Sequence, residues 1–125
     1  MQKQNIAIIG LGRIGSAFLG AMLQKAGNGI NLVCVAERME TPAKAKAAAA
    51  GIKVATLDEI VAMNTAIDVI FDVTGLPEVR KELRTKLAAA NNQHTVIASE
   101  TIVRVIWSLI SEEALPVIEG RKTGY

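Results

Sequence analysis

Residues 6–18 read IAIIGLGRIGSAF, and their glycines are spaced for one kind of chemistry. In Gly10-Leu11-Gly12-Arg13-Ile14-Gly15 each glycine answers a separate demand. Gly10 allows a tight turn out of a strand, Gly12 lets a pyrophosphate approach the backbone, and Gly15 lets the next helix pack closely on the sheet. The amides at a helix start have no partner in their own helix, so those of Arg13 and Ile14, with the positive end of the helix dipole, would hold phosphate. A bare glycine match is weak. Here it follows an apolar run and opens a helical pattern, which is the setting the dinucleotide fingerprint needs. A glycine turn of purely structural purpose is the competing reading.

Three further groups fall where such a ligand would lie. Glu37 stands about twenty residues beyond the turn, at the end of the next apolar run, where a carboxylate accepts from the adenine-ribose hydroxyls. A negative charge there repels a 2′-phosphate and favours NAD. Arg38 beside it is a cation that could pair with that phosphate, so NADP stays open. Both are otherwise ordinary solvated charges at a strand end. Thr74 and Gly75, in "DVTG", close a later strand and would face the cofactor's middle. Asp72 is either buried there or caps the turn. Ser99 and Glu100 end another strand, either near a nicotinamide or as the cap of the last helix.

The remaining reactive residues point away from catalysis. The single histidine, His94, precedes a strand and so lies at the opposite edge from the ligand. The single cysteine, Cys34, sits inside an apolar run and reads as a buried, inert thiol. One Cys and one His on different elements make no zinc site. Arg80, Lys81, Arg84 and Lys86 share a helix with Glu78 and Glu82, which reads as a solvated face with a Glu82–Lys86 pair. No catalytic residue is assigned.

These groups need a scaffold, and apolar runs alternating with helical patterns supply one. Strands are expected at 5–9, 31–37, 52–56, 67–75 and 95–99. Helices are expected at 13–25, at 42–50 with Thr41 as cap, from a Thr56/Glu59 capping box to about 64, at 77–90, and at 101–113. "AGNG" (26–29) ends the first helix, and the tail from 114 has no assignment. Strictly alternating strands and helices imply an α/β fold, a doubly wound parallel sheet of about five strands in the order 3-2-1-4-5. The alanine tract 47–50 suits a helix lying close on a sheet.

Composition agrees. The chain has 125 residues, half of them hydrophobic but only four aromatic, so Ala, Val, Ile and Leu must build the core of a single domain. Fourteen basic and twelve acidic residues leave a net charge of +2, too little to argue for nucleic acid. No apolar stretch is long enough to span a membrane, no signal peptide is visible, and one cysteine allows no internal disulfide. The expectation is a cytoplasmic protein.

The last helix carries more apolar surface than one sheet face needs. Ile102, Val103, Val105, Ile106, Trp107, Leu109 and Ile110 spread over an arc of roughly 200°, against about 100° for simple packing. Either the tail residues 115–118 cover the excess, or a second subunit does. A homo-oligomer through the helix carrying Trp107 is the sharper expectation.

The stretches "IAIIGLGRIGSAF", "VCVAER" and "IDVIFDVTG" resemble the N-terminal domain of the glucose–fructose oxidoreductase and inositol dehydrogenase group. Dihydrodipicolinate reductase, homoserine dehydrogenase and aspartate dehydrogenase share this domain type. The resemblance covers roughly residues 5–110 and implies a Rossmann domain that binds NAD(P). The Glu37-Arg38 pair is similar to reductases of this group that use both cofactors. Two departures stand out. A Glu-Lys-Pro-like segment with a catalytic lysine follows the fifth strand in those enzymes, whereas Ser99-Glu100-Thr101 stands here. A second domain supplies their substrate site, whereas only 25 residues follow Glu100 here. A looser likeness is to stand-alone or fused Rossmann modules beside bacterial sensor proteins. The expectation is therefore a stand-alone NAD(H)-binding module; a small oxidoreductase completed by another subunit is the alternative.

Overall fold

The computed structural model describes residues 3–25 and 29–120. Most of the expected break at 26–29 and the residues from 121 onward lie outside them. Five strands, β1 (Gln4–Ile9), β2 (Ile30–Ala36), β3 (Lys53–Val54), β4 (Val69–Asp72) and β5 (Val96–Ser99), form one sheet in the order β3-β2-β1-β4-β5. Every pairing is parallel. Five α-helices alternate with them: α1 (Arg13–Gln24), α2 (Pro42–Ala49), α3 (Leu57–Ala62), α4 (Pro77–Ala89) and α5 (Glu100–Ile110). This is the doubly wound Rossmann arrangement expected from the alternation.

The two-residue period of a strand sorts the core into two layers. From β1, Ile6 and Ile8 face a cluster built with Ile14, Phe18 and Leu19 of α1, Ala43 and Ala47 of α2, and Val103 of α5. Ala7 and Ile9 point the other way, to Ile60 of α3 and Leu83 and Leu87 of α4. Phe18 meets Phe71 edge-on at 4.9 Å between ring centres. Both are needed because the sequence offers so few large side chains; truncating a buried Phe costs about 3–5 kcal/mol. The alanines of α2 let that helix lie against β2 and β3. Thr41 caps it by accepting from Lys44 N at 3.1 Å, and Thr56 with Glu59 forms the expected capping box at the start of α3.

Several boundaries differ from expectation, the third strand shrinking to Lys53–Val54, and two of the differences have a visible cause. The fourth strand ends at Asp72 rather than Gly75, because the Asp72 carboxylate takes Thr74 N at 3.1 Å and bends the chain away. The last helix stops at Ile110 rather than 113. Ser111 is extended, its hydroxyl accepts from Glu113 N, and the chain turns so that Leu115 folds back into the core.

Candidate functional site

The glycine turn lies where β1 passes into α1, stapled to both neighbouring strands. Gly10 N donates to Ala36 O of β2 and Val73 N donates to Ile9 O, each at 2.9 Å. Gly10 has φ +95°, and a Cβ there would stand 2.9 Å from Thr74 N, so conformation and space both require glycine. A Cβ on Gly15 would stand 1.8 Å from Gly10 O, so α1 reaches the sheet only because that atom is missing. Gly12 is different: its φ is −79°, and a Cβ there meets nothing within 4 Å. The fold makes no use of its bareness.

Gly12 is the N-cap of α1, and it supplies no side-chain cap. Ser16 N is the first amide to find a helical partner, Gly12 O, at 2.8 Å. The amides of Arg13, Ile14 and Gly15 thus stand in the unpaired first turn, with the positive end of the helix dipole behind them. No acidic residue occupies that turn. The electrostatics there suit an anion.

A cleft of about 790 Å³ opens in front of this turn, over the carboxyl ends of β1 to β4. That volume lies within the range of small-molecule sites. Gly10 and Gly12 form its back, Glu37, Arg38 and Met39 one wall, and Thr74 and Leu76 the other, with Leu57 and Val79 adding apolar surface. Lys44, Asp58, Glu82 and Lys86 complete the rim. Lys86 pairs with Asp58 and stands 3.8 Å from Glu82, which ties α4 to α3; the Asp58 contact holds the ammonium above its usual range. Lys44 is paired with Glu40 at 2.9 Å.

Of the residues singled out in the sequence, the cleft brings together Gly10, Gly12, Glu37, Arg38 and Thr74. Arg13 is exposed at the helix start, the Ile14 side chain is buried, and neither lines the cleft. Gly15 lies beneath the turn, and Gly75, at φ +71°, turns the chain toward α4. Ser99 occupies the N-cap position of α5 without a side-chain cap bond, and Glu100 is buried, 3.3 Å from Arg104 Nη2.

One expectation is corrected. Arg80 is not on a solvated face: its side chain is 1% exposed, and its Nε lies 3.1 Å from Asp72 Oδ2. The signal was present, since 80, 83 and 87 share one helical stripe with Leu83 and Leu87. The apolar lining from Met39, Leu57, Leu76 and Val79 was also not anticipated. It comes from four separate loops and elements that only the sheet order brings together.

Elsewhere the reactive groups are occupied. His94 Nε2 lies 2.6 Å from Asp68 Oδ1, and Asp68 Oδ2 accepts from Asn5 N at 2.7 Å. That amide first, and His94 second, hold the Asp68 carboxyl below its usual range. The cluster sits at the amino ends of β1, β4 and β5, across the sheet from the cleft. Cys34 is buried, and burial pushes its thiol up to about 11. It holds a proton at neutral pH and is not a nucleophile. No helix among the described residues is long and apolar enough to cross a membrane.

The sequence profile of the family described as "Homoserine dehydrogenase, NAD binding domain" matches residues 10–110. The chain belongs to this NAD-binding domain family. No curated protein matches it. Among solved structures, homoserine dehydrogenase of S. aureus is similar at 19% identity and TM-score 0.58, over 87% of this chain and 30% of that one. GenD2 from gentamicin A biosynthesis, solved with NAD, is similar at 18% and 0.58, over 87% and 31%. Homoserine dehydrogenase of Thiobacillus denitrificans shares 26% identity at TM-score 0.54, over 88% and 27%. The chain thus spans about 30% of the length of these relatives. The residues at the cleft fit the cofactor of the family. Gly12, left bare with no packing contact, lines the cavity, the amides of the first turn of α1 flank it, and the Glu37 carboxylate lines one wall.

Proposed function

We propose that the chain binds NAD(H) in this cleft and serves as a binding or sensing module. The observation that carries the reading is Gly12, the one glycine of the three whose missing Cβ answers no demand of the fold. The pyrophosphate would lie against it, held by the amides of Arg13 and Ile14. Glu37 would accept from the adenine-ribose hydroxyls, with Arg38 beside it, while Thr74 and Gly75 would face the middle of the cofactor. NAD supplies a hydride acceptor when bound; this chain's residues bind it and orient it. Glu37 makes NAD the preferred form, and the nearby cations Arg38 and Lys44 leave NADP tolerated.

Calorimetry with NADH should show binding to the chain and its loss on Gly12→Val. Absence of binding by NAD, NADH, NADP and NADPH at millimolar concentrations would refute the reading. A second reading, an oxidoreductase whose substrate site another subunit completes, draws on the family being that of a dehydrogenase domain. Oxidation of bound NADH by small oxo acids would favour it.

The same reading includes a homo-oligomer formed through α5. The tail covers part of that helix: Trp107 Nε1 donates to Glu113 O and Leu115 is buried. Val105 and Leu109 remain 54% and 80% exposed. A second copy would cover them.

A further inference from the structure

A guanidinium and a carboxylate are sealed together below the cleft. Arg80 and Asp72 are both about 1% exposed, with Nε 3.1 Å from Oδ2. Burying two charges is expensive, and a hydrophobic residue at 80 would have continued the stripe of Leu83 and Leu87. What the pair achieves is visible on the other oxygen of Asp72. Oδ1 accepts from Thr74 N at 3.1 Å and from the Thr74 hydroxyl at 2.7 Å. That hydroxyl in turn accepts from Leu76 N at 3.1 Å, and Leu76 is the N-cap of α4. Arg80 sits one turn into α4. The contacts therefore run from Arg80 through Asp72 and Thr74 to Leu76, and the first turn of α4 joins Leu76 back to Arg80 along the chain.

This closed loop shapes the cleft directly. Thr74 and Leu76 line one wall. Thr74 N and Cα lie 2.9 and 3.0 Å from the point where a Gly10 Cβ would stand, so the Thr74 backbone is pressed on the glycine turn. Moving Thr74 moves the surface against which Gly10 is held.

We propose that Asp72 and Arg80 are positioning residues for the dinucleotide cleft: their ion pair locks the 72–76 turn, and the turn sets the wall that faces Gly10. The inference rests on the NAD(H) reading for its functional meaning, although Arg80 lies beneath the surface a ligand would touch. Preorganisation of this kind raises affinity by removing the cost of ordering the wall on binding.

The test uses Arg80→Met, Arg80→Lys and the double variant Asp72→Asn/Arg80→Met in the full chain. Residue-resolved amide exchange is read without ligand, and the NADH Kd is read by calorimetry. In Arg80→Met, exchange at Thr74 and Leu76 should rise about tenfold more than at Ile8, whose amide reports global stability. Affinity for NADH should fall about tenfold. Arg80→Lys, which keeps the charge, should recover part of both. If Arg80→Met does not fold, the double variant decides, since losing both charges of a buried pair is better tolerated than losing one. It should fold and still show faster exchange at Thr74 and Leu76 with weaker NADH binding. Equal exchange increases at Ile8, Thr74 and Leu76, or an unchanged Kd in a folded variant, would overturn the proposal. Failure of the unmodified chain to bind NADH would instead remove the cofactor reading, and the exchange pattern would still decide whether Arg80 locks the turn.

Discussion

The three glycines of the turn should separate into two classes when each is given a methyl group. At Gly12 the backbone is extended at φ −79°, and the new Cβ meets no atom within 4 Å. Glycine is preferred over alanine at an N-cap, worth about 0.5–1 kcal/mol, while the stiffer unfolded chain of the alanine variant returns about 0.4–1 kcal/mol. Gly12→Ala should therefore shift Tm by no more than about 3 °C. At Gly15 the added carbon would stand 1.8 Å from Gly10 O and 3.2 Å from Val73 Cγ2. The first contact is with backbone, so the helix must leave the strand. A cost of at least about 3 kcal/mol follows, or roughly 10 °C or more in Tm.

Binding should follow the opposite order. Gly12→Val places its side chain in the cleft, between the helix amides and an approaching pyrophosphate. Hydrogen bonds to a charged group contribute about 1.5–3 kcal/mol each, so displacing two of them weakens NADH by a hundredfold or more. Differential scanning fluorimetry and calorimetry on Gly12→Ala, Gly12→Val and Gly15→Ala measure both quantities. If Gly12→Val binds NADH like the unmodified chain, the assignment of the pyrophosphate to Gly12 is wrong. If Gly12→Ala is destabilised as much as Gly15→Ala, the packing argument is wrong.

Other consequences are narrower. Glu37→Ser removes the charge that opposes a 2′-phosphate and should shift preference toward NADPH over NADH by about tenfold, read from paired Kd values; an unchanged ratio counts against the ribose assignment. Asp68 is held below the usual carboxylate range, so the stability it adds is present above the unfolded value of about 3.9 and is lost as pH falls through the lower folded value. Asp68→Asn should accordingly flatten the fall of Tm below about pH 4, and an unaltered acid limb would contradict the role given to Asn5 N and His94. Sedimentation at micromolar concentration should show a dimer that Leu109→Lys converts to monomer, and a monomeric unmodified chain would sink the α5 interface.

The parts of the fold that were legible in the sequence are those set by local patterns. Alternation along residues 6–9 places Ile6 and Ile8 on one face and Ala7 and Ile9 on the other, and Thr41 and Thr56 announce the starts of α2 and α3. Parallel order follows because every strand is joined to the next through a helix. The parts that were not legible depend on contacts made across space. Arg80 looks like one more cation among Lys81, Arg84 and Lys86 until the turn returns Asp72 to its side. The end of α5 depends on Leu115, which draws the chain back to the core after Ser111.

The glycine turn shows why the candidate site was only half legible. In sequence the separate demands on Gly10, Gly12 and Gly15 are expectations attached to one fingerprint, with nothing to weigh one against another. In space two of them are explained by the fold alone: Gly10 by Thr74 and its positive φ, Gly15 by Gly10 O. A domain that bound nothing would still need those two. It would gain little from Gly12, because a side chain there collides with no part of the protein and the N-cap preference for glycine over alanine is nearly offset in the unfolded chain. What points to a ligand is therefore the empty space in front of Gly12 rather than the six-residue fingerprint as a whole.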